Sequence, residues 1–109
     1  MNPTELTKAD WHQRAAKLRY ETRHFIDGRY VDSVGGGRFT VVNPATGRTL
    51  CEVSAGMAAD IDLAVAAAKR SFTARVWSRA VPRERMAVLA AFARLIEANA
   101  ERFALLDTL

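Results

Sequence analysis

The chain has 109 residues, half of them hydrophobic; this is enough for one domain, too short for two, and too apolar for a disordered segment. Sixteen Lys and Arg against twelve Asp and Glu give a net charge of +4, but the basic residues are interleaved with acids and form no block, which argues against a nucleic-acid surface. No run of about 18 apolar residues is present to span a bilayer, the N-terminal residues lack a signal peptide's charged start and apolar core, and the single cysteine, Cys51, has no internal disulfide partner, so no membrane contact and a cytoplasmic location are expected.

From Lys8 to about Tyr20, Trp11, Ala15 and Leu18 recur at helical spacing, which predicts a short amphipathic helix with Thr7 as N-cap and Asp10 in its first turn. Arg14, Lys17 and Arg19 fall off that stripe and read as solvated. Phe25-Ile26 and Arg29-Tyr30-Val31 flank Asp27-Gly28, a pair suited to the positive φ angles of a type I′ turn, so a two-residue hairpin is expected. Gly35-Gly36-Gly37 interrupts the chain before a β-branched run from Phe39 to Val42. Asn43-Pro44-Ala45-Thr46-Gly47 then turns it into another strand, from about Thr49 to Ser54. The two hairpins together occupy residues 25–54.

A helix is expected from about Ala58 to Arg75, with Ile61, Val65, Ala68 and Phe72 as its apolar stripe. Asp60 and Asp62 complement the positive end of its dipole, while Met57 stands where Ser or Thr would cap. Pro82 suits the first position of another helix, with Glu84 in its first turn, running on towards Leu109 with Asn99 as a bend or a new cap. There Met86, Leu89, Ala93, Ile96, Ala100 and Phe103 form one stripe and Val88, Phe92 and Leu95 a neighbouring one. So wide a face predicts burial on two sides, one of them against protein outside these elements. The segment Ala104 to Leu109 ends on an apolar residue without a Gly, Asn or basic cap, the pattern of a cut.

Few side chains invite a chemical reading. Cys51 lies in a strand between Leu50 and Glu52 with no His or Lys beside it to favour a thiolate, so strand packing is expected of it. The glycine run is followed by neither Lys-Ser/Thr nor a helix, which excludes a phosphate loop. His12 and His24 lack partners at ligand spacing. Asp60 and Asp62, two apart on a helix, point in different directions and are no catalytic pair, and Trp77 is expected to plug the junction of two helices.

Taken in order, Phe25-Ile26-Asp27-Gly28-Arg29-Tyr30-Val31, Val42-Asn43-Pro44-Ala45-Thr46-Gly47, Ala59-Asp60-Ile61-Asp62-Leu63-Ala64-Val65, Trp77-Ser78, Pro82-Arg83-Glu84-Arg85, Leu95-Ile96-Glu97 and Leu106-Asp107-Thr108-Leu109 resemble the N-terminal part of the NAD(P)-dependent aldehyde dehydrogenase superfamily. Within it, the opening helix followed by Glu21-Thr22-Arg23-His24 looks most like the subgroup acting on γ-glutamyl-aminobutyraldehyde and related amino aldehydes in polyamine breakdown. The resemblance implies an α+β fragment, an N-terminal helix, two β-hairpins and two helices, of an α/β enzyme, residues 1–109 being one incomplete unit of its cofactor-binding domain.

For a complete protein the resemblance implies an aldehyde substrate, NAD or NADP, a cysteine nucleophile and a dimeric or tetrameric state. The family's nucleophile, general base, oxyanion asparagine and cofactor glycines all lie beyond the position matching Leu109, so no catalytic and no cofactor-binding residue is assigned here and the chain alone is expected to be inactive. Many members also hold a monovalent cation with the backbone carbonyls of the two residues before Asn-Pro, here Val41 and Val42, together with an Asp that would follow Leu109; half of that site is implied. The alternative expectation is a non-catalytic interaction or oligomerisation module built from the same segment.

Overall fold

The computed structural model describes residues 6–109, which form α1 (Lys8–Ala16), β1 (His24–Ile26), β2 (Arg29–Val31), β3 (Arg38–Val42), β4 (Thr49–Ser54), α2 (Ala58–Ala74), α3 (Pro82–Ala98) and α4 (Ala100–Thr108). The expected α+β arrangement is observed: β1 pairs with β2 and β3 with β4, both antiparallel. Two compact units result, Glu21–Met86 and the described residues up to Tyr20 with Ala87–Leu109.

In the unit Glu21–Met86, Ile26 faces Arg29 across a two-residue turn. Asp27 (φ 56°) and Gly28 (φ 75°) adopt the left-handed geometry that a type I′ turn demands. Phe25 and Tyr30 stack across the strands at 5.1 Å between ring centroids. In the second hairpin the pairing Val41 with Cys51 is followed by Val42 with Thr49. One residue of β4, Leu50, is therefore extra: the ladder bulges at this point, as strand ends often do. The far end of β4 is pinned from both sides, because the Ser54 amide donates to the Thr22 carbonyl at 2.8 Å and the Ala55 amide to the Gly37 carbonyl at 2.8 Å.

α2 packs against β1, and the side it uses is not the apolar stripe. The covered side carries Asp60, Ala64 and Ala67, while Leu63, 51% exposed, borders a cavity with Ile26, Val31 and Val34, and the Arg70 guanidinium pairs with the Asp27 carboxylate at 3.1 Å. Ile61, Val65 and Phe72, on the neighbouring side of the helix, are 59%, 59% and 78% exposed. α2 ends as the pattern predicts, but on Arg75 at φ 57°, a left-handed position that favours glycine. Arg75→Gly should therefore raise stability by about 1 kcal/mol, read as a higher urea midpoint at unchanged slope. Trp77, in the turn beyond, is 47% exposed and so only half fills the junction expected of it.

In the other unit, Thr7 and Asp10 form a reciprocal capping box, with the Thr7 amide donating to the Asp10 carboxylate at 2.9 Å and the Asp10 amide to the Thr7 hydroxyl at 3.3 Å. α1 stops at Ala16, short of the expected Tyr20. The Lys17 and Leu18 amides bond to the carbonyls three residues back, the tightened turn that closes a short helix. The helix expected over 82–109 is two helices. Asn99 leaves the helical region (φ −113°, ψ 16°) and its side-chain amide donates back to the Leu95 carbonyl at 2.8 Å, so it interrupts the ladder and caps nothing. Beyond it, Leu105 is the one buried hydrophobic side chain among the described residues, at 8% exposure.

Candidate functional site

The most highly built polar site is one that the sequence reading assigned to helix electrostatics alone. Asp60, at the third position of α2, is 3% exposed. Its carboxylate accepts from the Ser33 hydroxyl at 2.8 Å, the Val34 amide at 2.8 Å and the Met57 amide at 2.9 Å. Ser33 is itself 6% exposed. Met57 offers the helix no cap of its own; Asp60 instead reaches back to the Met57 amide, the acidic half of a capping box, and with its other oxygen ties down the loop after β2. The Met57 and Val34 amides hold the Asp60 carboxyl below its usual range, with smaller help from Ser33 and from the charge of His24, against the opposing effect of burial. A carboxylate so occupied and so weakly basic is a clamp and a poor general base. Asp62 remains exposed.

The sequence candidates are not brought together around this clamp. Val41 is half-buried and Val42 exposed on β3, directly at the bulge. Their carbonyls are neutral oxygens, a donor type that suits an alkali cation. Two such donors are too few to hold one, and no group of three or more His, Cys, Asp or Glu able to hold a metal occurs among the described residues. The residues present therefore do not make a cation site by themselves.

Cys51 is half-buried opposite Val41, the strand position expected of it. The glycine run lies in the loop between β2 and β3, where the Gly36 amide closes a turn on the Ser33 carbonyl at 2.9 Å. The helix N-terminus next in sequence, that of α2, is already met by Asp60, so no cradle for a dinucleotide's phosphates is formed by these residues. His24 is half-buried in β1, beside Gly56, with Nε2 buried and without a hydrogen-bond partner among the described residues.

In the unit Glu21–Met86, a cavity of about 280 Å³ is lined by Asp32, Ser33, Gly36, Gly37, Arg38 and Ser54. Another in that unit, of about 300 Å³ between the first hairpin and α2, is lined by Asp27, Arg29, Asp32, Asp60, Leu63 and Arg70 among others. In the other unit, Arg14, Lys17, Arg19 and Arg102 surround a shallow hollow with Glu101. Two of those four cations are engaged: Arg14 pairs with Glu101, and the Arg102 guanidinium donates to the Arg19 carbonyl at 3.3 Å. Local clustering of this kind was not visible in the linear charge pattern.

The chain has relatives of known activity. The aldehyde dehydrogenase family model matches residues 30–109. The NADP/NAD-dependent aldehyde dehydrogenase PuuC of Escherichia coli is 41% identical over 101 residues, 93% of this chain and 20% of that protein. The aminoacetaldehyde dehydrogenase of Pseudomonas aeruginosa is 38% identical over 95% of this chain and 21% of its own length. Among solved structures, the γ-glutamyl-γ-aminobutyraldehyde dehydrogenase of Burkholderia cenocepacia superposes with a TM-score of 0.93 at 46% identity, over 95% of this chain and 21% of that one. An indole-3-acetaldehyde dehydrogenase complexed with NAD+ gives 0.92 at 45% identity over the same shares. The chain thus spans about a fifth of the length of the relatives it matches. With matched words, matched elements and matched order, it belongs to the aldehyde dehydrogenase family.

Proposed function

We propose that residues 1–109 are the N-terminal part of the cofactor-binding domain of an enzyme that oxidises an aldehyde to a carboxylic acid with NAD(P)+. The observation that carries this reading is superposition on family structures at TM-scores up to 0.93 over 95% of the chain. In the complete enzyme a cysteine thiolate would attack the aldehyde, and a glutamate-activated water would release the acid. The nicotinamide would supply the acceptor for hydride. This chain's part is to hold the frame, in which Asp60 fixes the loop after β2 against α2. Amino aldehydes are the favoured substrate class, supported by the names of two relatives, aminoacetaldehyde and γ-glutamyl-γ-aminobutyraldehyde dehydrogenase. The parent would be a cytoplasmic homo-oligomer, and Val41 and Val42 would lend carbonyls to a cation site completed from elsewhere.

The test joins residues 1–109 to the remainder of the Burkholderia relative and follows aldehyde-dependent NADH formation. Turnover is expected, and Cys51→Ser should leave kcat within about twofold, since Cys51 is a strand residue. Abolition of turnover by Cys51→Ser would show that the reaction runs through this segment and overturn the reading. A second reading, an interaction module with no catalytic parent, is favoured by one observation, the exposed apolar faces of α2 and α3.

A further inference from the structure

The end of α1 and the start of α4 meet at a hollow of about 430 Å³ lined by Arg14, Lys17, Leu18, Arg19, Glu101 and Arg102. Four cations against one carboxylate place there three of the chain's four net positive charges. Two contacts hold the rim. The Arg14 guanidinium pairs with the Glu101 carboxylate, and the Arg102 guanidinium donates to the Arg19 carbonyl at 3.3 Å. The Lys17 ammonium and the Arg19 guanidinium, both exposed, have no ion-pair or hydrogen-bond partner among the described residues.

Helix electrostatics explains only part of this. Lys17 is the C-cap of α1 and complements the negative end of that helix. Arg19 lies beyond the helix, and Arg102 stands in the first turn of α4, where the dipole disfavours a cation. We propose that the hollow binds a small anion carrying two or more phosphoryl groups. A single exposed ion pair contributes little, so an anion with one charge gains too little to stay. A ligand that reaches Lys17 and Arg19 together makes several contacts on a rim already held in place, with Arg14 and Arg102 adding to the field. Guanidinium forks match phosphoryl oxygens two at a time, and an ammonium serves as a point charge. The charge is confined to one hollow and forms no stripe, which suits a compact anion and not the regular phosphate track of a nucleic acid.

The probe is tripolyphosphate, titrated by calorimetry into the 109-residue chain at about 50 mM salt. Saturable binding below about 1 mM is expected, weakened at least about tenfold at about 500 mM salt. Lys17→Glu and Arg19→Glu should each weaken it by about tenfold or more while moving the melting temperature by no more than about 2 °C. Arg48→Glu, exposed in the unit Glu21–Met86, changes the net charge equally and should leave the affinity within about twofold. No saturable binding, or an Arg48→Glu effect as large as the other two, would overturn the proposal. Flotation with phosphatidylglycerol vesicles tests the other source of phosphoryl groups, a membrane surface: the chain should stay in the soluble fraction, and vesicle binding without tripolyphosphate binding would also overturn it. The same titration of the chain joined to the remainder of the Burkholderia relative should give the same affinity within about threefold; loss of binding there would mean that the hollow is filled in the longer protein and would count against the site. Binding in a joined protein without turnover would leave the site intact and count against the proposed activity alone.

Discussion

Asp60→Asn should lower the melting temperature of the chain by about 5–10 °C, although it changes one atom of a side chain. The carboxylate serves two backbone amides, Met57 on one oxygen and Val34 on the other, with Ser33 sharing the first. An amide has one oxygen, so in either orientation its NH2 group faces a backbone N–H, and a buried donor loses its partner. Ser33, whose hydroxyl can rotate, accommodates the change; the amides cannot. The pH dependence follows from the same contacts. Because the folded-state pKa of Asp60 is depressed, its contribution is fully present above the ordinary aspartate value of about 4 and is lost as pH falls through the lower folded value. In that window the unfolded chain binds the extra proton, so stability rises with pH. Melting curves from about pH 2 to 5 should show this slope in the native chain and a shallower one in Asp60→Asn.

Leu105→Ala should cost about 2–3 kcal/mol in urea unfolding, at the low end for a buried leucine because so thin a core collapses easily around the deletion. Leu106→Ala, next to it but 39% exposed, should cost under about 1 kcal/mol. A reversal of this order would mean that the face of α4 bearing Leu105 is not the buried one.

What could be read from the amino acids was whatever is decided locally. Asp27-Gly28 names its turn because few other pairs tolerate two consecutive positive φ angles, and Thr7 with Asp10 names a helix start because the two side chains answer each other's amides. The periodicity of Ile61, Val65, Ala68 and Phe72 correctly marks a helix, but a stripe says only that something covers it. Here the side that is covered carries Asp60, Ala64 and Ala67 instead. Asp60 was half legible: an acid three residues after an N-cap that cannot cap is a capping signal, whereas its bonds to Ser33 and Val34, 27 and 26 residues earlier, depend on tertiary placement. The break at Asn99 was expected as a bend or a new cap and is observed, whereas the extra residue in β4 depends on strand pairing that local propensity weighs poorly. Family membership was legible because it rests on ordered words. The candidate site was legible only as a pair of carbonyls, Val41 and Val42, to which the described residues add no third donor.

We propose that residues 1–109 carry part of the frame of an aldehyde dehydrogenase and none of its reaction. Absorbance at 340 nm tests it directly, with the purified 109-residue chain, NAD+ or NADP+, and an amino aldehyde such as γ-glutamyl-γ-aminobutyraldehyde. The account expects no aldehyde-dependent rise above the protein-free rate; NADH or NADPH formation proportional to the concentration of the chain would contradict it.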